Sequence, residues 1–217
     1  PRVERTTESI SAVIGNIGYA FAEVTPIPDI DAAAREVGIT FLVNPGKRVY
    51  VRRVVFKGNT RTMDEVMRRE MRQFEGAWFS QAAVDRSKIR LQRLGYFEDV
   101  TIETPRVPGS EDLVDVEVAV KERPTGAFQF GLGFSQLQGL ITTLSVEQDN
   151  FMGTGNRAAV NIQNNRFFKR LDLTYINPYT TDDGLSVGYN ASYRELDFAD
   201  QNLAAYSTDT AAFKAFF

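Results

Sequence analysis

The stretch of sequence that decides the fold is residues 126–177, which begins GAFQFGLGFS (126–135) and contains SVEQDNFMGTGNRAAVNIQ (145–163). In its first ten residues, large apolar side chains alternate with small or polar ones. The apolar positions are Phe128, Phe130, Leu132 and Phe134, and the positions between and after them are Gln129, Gly131, Gly133 and Ser135. Because successive side chains of a strand point to opposite faces, this alternation predicts a β-strand with one apolar face.

The same alternation recurs along the rest of the chain. Runs of about 9–11 residues, the length of a tilted membrane-spanning strand, are separated by Gly, Asn and Asp turns. Soluble sheets alternate as well, so the pattern alone leaves open which face is wet. Our interpretation is an antiparallel meander of about six membrane strands. The predicted strands are 126–135, 140–149, 156–165, 168–177, 184–196 and 207–217.

Charge and aromatic content divide the chain in two. Nineteen of the 25 Lys and Arg residues and nineteen of the 28 Asp and Glu residues lie in 1–125, whereas 15 of the 24 Phe and Tyr residues follow Pro124. A charged front and an aromatic back predict a molecule with two different parts. The net charge of -3 implies no nucleic-acid partner.

The absent residue types restrict the chemistry. With no Cys and no His, the chain has no thiol nucleophile, no imidazole base and no ordinary zinc site. We therefore expect no enzyme activity, no metal and no cofactor. No run of 18 apolar residues occurs, which argues against a transmembrane helix. The chain opens at Pro1 and stops at Phe217 inside a predicted strand, so we expect an excised or truncated segment.

The front of the chain contains an internal repeat. Gly18-Tyr19 recurs as Gly95-Tyr96, and the alternating apolar residues of 37–43 recur in 114–120, both 77 positions later. A repeat of this length indicates an array of domains. The second copy is complete and has the order β-α-α-β-β, with predicted segments 49–59, 63–75, 80–95, 96–105 and 113–123.

The first copy lacks its front. It has a predicted helix at 6–18, which we expect to be capped by Thr6 or Thr7, and two strands at 20–30 and 35–46. Pro26 and Pro28 are expected to break the first of these strands, because proline cannot donate to a sheet.

Several long motifs carry a family resemblance. They are FKGNTRT (56–62), RREMRQFEGAW (68–78), RLGYFEDV (93–100), VDVEVAVKERPTGAFQFGLGFS (114–135), VEQDNFMGTG (146–155) and NPY (177–179). The repeated β-α-α-β-β unit resembles POTRA domains. The ordered set of motifs is similar to the BamA family of outer-membrane protein assembly factors, a branch of the POTRA-plus-barrel superfamily, over essentially the whole chain.

The resemblance implies a domain plan and a location. Residues 1–46 would be the C-terminal part of one POTRA domain, 47–123 a complete POTRA domain, and 124–217 about six N-terminal strands of an outer-membrane β-barrel. The fold class is therefore α+β POTRA domains followed by an antiparallel transmembrane β-barrel. The barrel would lie in the bacterial outer membrane with the POTRA domains in the periplasm.

The resemblance also implies a function, which is to fold and insert β-barrel proteins without ATP or covalent chemistry. Unfolded outer-membrane proteins would dock on the edge of the first barrel strand, whose residues are Phe128, Gln129, Phe130, Gly131, Leu132, Gly133 and Phe134. Arg68 and Glu75 match family positions that engage the lipoprotein BamD. The expected partners are BamD-like and other assembly-complex lipoproteins, unfolded outer-membrane proteins and outer-membrane lipid.

Two alternatives remain open at this point. A TamA-like or two-partner-secretion transporter of the same superfamily would share the fold and move a polypeptide outward. A soluble periplasmic scaffold would instead use the back of the chain as an ordinary sandwich. Binding of a BamD-type lipoprotein would distinguish the first alternative, and solubility without detergent the second.

Overall fold

The structure is a computed structural model that describes residues 2–31, 36–181, 183–197 and 207–217. Contacts divide the chain into two compact units. The first unit comprises Pro1–Asn59 and Met67–Glu122, and the second comprises Thr60–Val66 and Arg123–Phe217.

Three helices and eleven strands are present in the described residues. In chain order they are α1 (Arg2–Gly15), β1 (Glu23–Asp31), β2 (Glu36–Asn44), β3 (Tyr50–Lys57), α2 (Asp64–Arg68), α3 (Gln81–Arg93), β4 (Phe97–Glu103), β5 (Leu113–Glu122), β6 (Gly126–Ser135), β7 (Gly139–Phe151), β8 (Asn156–Asn164), β9 (Phe168–Asn177), β10 (Val187–Asp197) and β11 (Ser207–Phe216).

The second repeat of the first unit is built on a three-stranded sheet of order β3-β5-β4. β3 and β5 run parallel, and β4 and β5 run antiparallel. Every second residue of β5 is a fully or nearly fully buried valine, as the sequence alternation predicts. These valines pack with Met67 and Leu91, which are fully buried, so the core lies on one face of the sheet.

The helix predicted at 63–75 is much shorter in the structure, where α2 ends at Arg68. Beyond that residue the chain makes turns, and the amide of Arg72 donates to the Ser87 hydroxyl (2.8 Å) rather than continuing the helix. The chain then runs beside β3, where the amide of Gly76 donates to the Val51 carbonyl oxygen (2.7 Å). The prediction was wrong because tertiary hydrogen bonds replace the helical ones in this segment.

Two predictions about the first repeat were also wrong. β1 runs unbroken through Pro26 and Pro28, and each proline lies opposite a residue of β2. Because they are two residues apart, their missing N–H groups face the same edge of the strand, where no ladder bond to β2 is lost. Thr6 and Thr7 lie inside α1, where their hydroxyls donate to carbonyl oxygens four residues earlier, so neither is a cap.

The second unit is a six-stranded antiparallel meander of order β11-β10-β9-β8-β7-β6. Its strands lie within a few residues of the predicted ones, although residues 198–206 fall outside the described part. The registers place the alternating apolar residues of all six strands on one face. The hydrophobic pattern opposes a slip of one residue, which would turn every side chain to the other face.

Residues 60–66 pack on the turn between β7 and β8 within the second unit. The amide of Met63 donates to the Gly153 carbonyl oxygen (2.9 Å), and the side-chain Nδ2 of Asn150 donates to the Thr62 hydroxyl (2.8 Å). Gly153 has a φ of +76°, and a Cβ there would lie 1.9 Å from the Arg61 carbonyl oxygen. This turn therefore requires glycine both for its backbone conformation and for the close approach.

Candidate functional site

The predicted docking strand, β6, lies at one end of the six-stranded sheet. It pairs with β7 along its whole length, from Gly126 opposite Gln148 to Ser135 opposite Gly139. Among the residues that the structure describes, no strand pairs with its other edge. An edge strand presents a row of backbone N–H and C=O groups to which another strand can bond.

All seven predicted docking residues lie on β6, and its two faces differ. The apolar side chains are largely exposed: Phe128 by 72%, Phe130 by 55%, Leu132 by 62% and Phe134 by 79%. Gln129, Gly131 and Gly133 lie on the opposite face, as the alternation predicts. The strand therefore exposes aromatic groups on one side and a nearly bare backbone on the other.

Packing does not require glycine at positions 131 and 133. A Cβ added to Gly131 would lie 3.7 Å from the Thr143 Cβ, and one added to Gly133 would lie 3.9 Å from the Ile141 Cβ. These are ordinary contact distances, so there is room for a side chain at both positions. The two glycines weaken the pairing of β6 with β7, because they remove cross-strand side-chain packing and add backbone entropy to the unpaired state.

The face of Phe128 continues as an apolar surface across the sheet. Cross-strand neighbours on it include Leu144, Val160, Leu173, Ala191 and Phe213. Two shallow apolar grooves cross its β8–β11 side, and the Tyr189 and Phe213 rings stack there at 6.2 Å. Contiguous exposed apolar surface of this extent marks a region that contacts lipid or protein.

The opposite face is polar. The Arg170 guanidinium donates to the Asp172 carboxylate, the Ser145 hydroxyl donates to the Asn161 side-chain oxygen (2.6 Å), and the Asn190 amide donates to the Thr174 hydroxyl (3.0 Å). Polar groups of four strands thus line a common groove. One apolar and one hydrated face is the pattern of strands that separate lipid from a watery lumen.

Arg68 and Glu75, the predicted lipoprotein-binding residues, lie together in the first unit. The Arg68 Nη1 and Glu75 Oε1 atoms are 3.1 Å apart, and each side chain is about half exposed. The same Glu75 oxygen accepts the backbone N–H of Val54 (2.8 Å), while the Arg68 guanidinium lies 5.3 Å from the Phe56 ring centre. The sequence shows no reason for these residues to meet, because their pairing depends on the early end of α2.

The surroundings of Glu75 favour its charged form. The hydrogen bond from the Val54 amide lowers the pKa of Glu75, desolvation opposes this, and the ion pair with Arg68 lowers the pKa further. Glu75 is thus an ionised, half-exposed carboxylate beside a guanidinium, on the surface of the second repeat. Two opposite charges held in a fixed geometry suit recognition of a partner's polar surface.

Sequence reasoning missed the buried polar contacts around the β7–β8 turn. Asn150 and Thr62 are both nearly inaccessible, and the Asn150 side-chain oxygen accepts the amide of Gly155 (2.8 Å). The signal available was the run Asn150–Gly155, since Asn and Gly tolerate positive φ. Nothing in the sequence indicates that Asn150 donates to Thr62, which lies 88 residues earlier.

No cluster of three or more acidic side chains is placed to hold a metal ion within 2–31, 36–181, 183–197 and 207–217. Across the same ranges, no helix is sufficiently long and apolar to cross a membrane.

Comparison with known families finds two matches. Residues 49–123 match the POTRA family, described as a surface antigen variable number repeat, and residues 150–217 match the Omp85 superfamily domain. The predicted fold class, α+β POTRA structure followed by an antiparallel barrel sheet, is confirmed. The division at 46/47 and 123/124 stays a prediction.

Individual relatives agree with these matches. The outer membrane protein assembly factor BamA of Neisseria meningitidis is 35% identical over 91% of this chain and 25% of its own length. The crystal structure of BamA from Haemophilus ducreyi lacking POTRA domains 1-3 is 38% identical, with a TM-score of 0.85 over 99% of this chain and 40% of that one. CdiB from Acinetobacter baumannii, at 11% identity and a TM-score of 0.55, shares the fold alone. The chain thus spans about a quarter of the Neisseria relative.

Proposed function

Since this chain belongs to the Omp85 superfamily and is similar throughout to BamA proteins, we propose that it takes part in folding and inserting β-barrel proteins into the bacterial outer membrane. The observation that carries this proposal is the edge strand β6. It is unpaired on one side within the described residues, contains two glycines that packing does not require, and exposes aromatic side chains.

Strand addition is the proposed mechanism. The free backbone groups of Phe128–Phe134 bond to a strand of an unfolded outer-membrane protein and impose its orientation and register. The exposed apolar face gives the incoming strand a lipid-compatible neighbour. Because only hydrogen bonds form and break, the activity needs no catalytic residue, metal or cofactor.

The two faces of the sheet support a membrane location. In this proposal, the Phe128 face contacts outer-membrane lipid and the Arg170 face lines the lumen. The charged first unit lies in the periplasm. The domain plan is the one expected above: 1–46 and 47–123 as POTRA structure and 124–217 as barrel strands.

Partner docking is the second part of the proposal. Arg68 and Glu75 form a half-exposed ion pair on the second repeat, and we assign them to binding of a BamD-like lipoprotein. The test is co-purification of the lipoprotein with Arg68→Glu, Glu75→Arg and the double variant. The single variants should lose the partner. If the double variant, which restores the internal pair with reversed charges, binds normally, then the pair only maintains the local fold and the assignment is wrong.

Site-directed crosslinking in cells tests the templating mechanism. Single cysteines are placed along 126–135 of the full-length gene product; residues 1–217 contain no native Cys, and any cysteine outside them is first replaced so that each adduct is attributable. The expected result is adducts to the final strand of unfolded outer-membrane proteins, alternating along β6. Adducts only to the protein's own last strand would overturn strand templating and favour a polypeptide transporter.

A further inference from the structure

We propose that Thr125 and Gln148 form a polar clasp that fixes the register of β6 on β7, and that the clasp thereby sets the depth at which an incoming strand is bonded. The inference rests on the proposed templating function. Thr125 and Gln148 act as positioning residues, since the groups that bond to the incoming strand are the backbone groups of β6.

The clasp lies where β6 begins. The Gln148 side-chain Nε2 donates to the Thr125 hydroxyl oxygen (2.7 Å) and to the Asp149 carbonyl oxygen (2.9 Å). The Thr125 hydroxyl itself donates to the Asp149 carbonyl oxygen, and the Asp149 amide donates to the Thr125 carbonyl oxygen (3.1 Å). The two side chains are thus bonded to each other, and both donate to the carbonyl oxygen of Asp149 in β7.

Gly126 makes room for this arrangement. A Cβ at this position would lie 2.6 Å from the Gln148 Oε1 atom and 3.5 Å from its Cδ atom. Gly126 is not among the glycines with positive φ, so backbone conformation is not the reason for glycine here. A side chain at 126 would therefore displace the Gln148 amide from the position in which it bonds to Thr125.

The hydrophobic pattern of β6 cannot fix its register alone. A slip of one residue would turn Gln129 and its neighbours to the apolar face of the sheet, so the pattern opposes it. A slip of two residues keeps Phe128, Phe130, Leu132 and Phe134 on the same face. Gly131 and Gly133 have no side chains that would interlock with β7 and resist such a slip. Register therefore has to be fixed at the ends of the strand.

The far end of β6 is fixed by a short hairpin. The connection to β7 is only 136–138, the Ser135 hydroxyl oxygen accepts the Leu137 amide (3.3 Å), and Gly139 takes a φ of +67°. The clasp fixes the other end. β6 is thus held at both ends and weakly packed in its centre, which lets its edge take a new strand without losing alignment.

The register of β6 determines where an added strand sits across the membrane. Two residues correspond to about 7 Å along a strand. A slip of that size would shift each bonded strand by the same distance and carry polar residues toward the apolar layer. The clasp therefore aligns the incoming strand with the lipid-facing band of the sheet.

Disulfide mapping of the register tests the proposal. In the full-length gene product reconstituted in liposomes, Gln129→Cys with Ser145→Cys reports the native register. Gln129→Cys with Thr143→Cys, and Gly131→Cys with Ser145→Cys, report slips of two residues in either direction. Each cysteine pair is combined with two variants that break the clasp: Thr125→Val removes the hydroxyl, and Gly126→Ala displaces the Gln148 amide. Thr125→Ser, which keeps the hydroxyl, is the matched control.

The expected result is a rise of about fivefold or more in the ratio of shifted to native disulfide for Thr125→Val and Gly126→Ala, which corresponds to the loss of one net hydrogen bond. Thr125→Ser should leave the ratio unchanged. An unchanged ratio in both clasp-breaking variants overturns the proposal, as does an equal rise with Thr125→Ser. Gly126→Ala keeps both polar side chains, so it decides the matter if Thr125→Val does not fold.

Assembly of a substrate barrel protein, measured in the same liposomes, separates this proposal from the function on which it rests. If the register shifts and assembly slows, both proposals are supported. If the register shifts while assembly is unaffected, the clasp is correct and strand templating is overturned. If the register does not shift, the clasp is overturned whatever the assembly rate.

Discussion

Asp115 is a nearly buried carboxylate that is held by two adjacent arginines. Arg52 donates to both of its oxygens (2.8 and 2.5 Å), and Arg53 donates to one of them (3.1 Å). The ladder between β3 and β5 has an irregularity between Val51 and Arg53, so Arg52 is an extra residue in the strand. This bulge allows two consecutive side chains to reach one carboxylate.

This arrangement predicts a pH-dependent stability. The hydrogen bond from Arg52, followed by that from Arg53, lowers the pKa of Asp115 below its ordinary value against an opposing desolvation. A carboxylate with a depressed pKa in the folded state contributes stability above its unfolded pKa, near 4, and loses it as the pH falls through the folded value. Asp115→Asn should therefore destabilise the first unit at neutral pH by about 1.5 kcal/mol, the low end for bonds to a charged group, because both arginines are partly exposed.

Urea unfolding followed by Trp78 fluorescence measures this effect, because Trp78 is the chain's single tryptophan and lies in the first unit. The stability difference between the native chain and Asp115→Asn should shrink as the pH is lowered below about 4. A difference that stays constant down to pH 2–3, well below the ordinary Asp value of about 4, would contradict a depressed pKa for this residue.

Gly153 and Gly76 both lie in turns, but a side chain would be unfavourable at the two positions for different reasons. Both have a φ of +76°, but a Cβ on Gly153 would lie 1.9 Å from a carbonyl oxygen, whereas one on Gly76 would meet nothing within 4 Å. Gly76→Ala should cost only the backbone strain of about 1–2 kcal/mol. Gly153→Ala should in addition displace residues 60–66.

Hydrogen exchange at the Met63 amide, which donates to the Gly153 carbonyl oxygen, measures that displacement. Gly153→Ala should remove protection of this amide, and Gly76→Ala should leave it unchanged. Equal protection in both variants would show that residues 60–66 do not depend on the close approach to Gly153.

At the scale of elements, the start of α3 is capped from two places in the sequence. Ser80 has an extended backbone, and its hydroxyl accepts the Ala83 amide at a long 3.4 Å. The side-chain oxygen of Asn16, which follows α1, accepts the Ala82 amide at 2.8 Å. The free amides of the first turn of a helix need such acceptors, so the first repeat supplies part of the cap of a helix in the second.

Replacing Asn16 should therefore loosen α3 although it lies 65 residues before the helix begins. Asn16→Ala should raise the exchange rate of the Ala82 amide by about fivefold, as expected for a cap worth about 1 kcal/mol. Ser80→Ala is the matched control and should affect Ala83 more than Ala82. If exchange at Ala82 responds only to Ser80→Ala, the cap from the first repeat has no energetic role.

At the scale of the whole molecule, the second unit is a sheet with one apolar and one polar face. Ile162 and Gln163 are adjacent in β8 and lie on opposite faces. Under the proposed membrane location, Ile162→Arg places a charge in lipid and should cost about 2–4 kcal/mol near the midplane. Gln163→Arg places the same charge in the hydrated lumen and should cost little.

The fraction of folded full-length protein in outer membranes, measured from its heat-dependent mobility in gels, tests this pair. A large loss for Ile162→Arg with near-normal folding of Gln163→Arg is expected. Equal tolerance of both substitutions would mean that the Phe128 face does not contact lipid, and would favour the soluble scaffold.

The strands were predictable because their signal is local. Alternation in 126–135 and 113–123 predicted both strands and their apolar faces, since side-chain direction follows directly from extended backbone. The segment 63–75 shows the limit. Its composition favours a helix, but the amides of Arg72 and Gly76 donate instead to Ser87 and Val51, which are distant in sequence, and the helix ends at Arg68.

The candidate site divides in the same way. The sequence identified β6 and its two faces, and the resemblance pointed to Arg68 and Glu75. The sequence did not predict that Arg68 and Glu75 form an ion pair, or that the Gln148 side chain donates to the Thr125 hydroxyl. Seven residues of continuous helix would leave Arg68 and Glu75 two turns apart, so their contact depends on the early end of α2, and the contact of Gln148 with Thr125 depends on the register of β6 on β7.

By itself, the sequence determined the repeat, the order of elements, the alternating faces and the absence of thiol and imidazole chemistry, because each of these depends on residue type and short-range spacing. The tertiary structure alone decided where helices end, which polar groups cap them, and which side chains bond to each other where β6 begins. Those features depend on single hydrogen bonds between distant residues, whose partners are selected by the packing of the whole sheet.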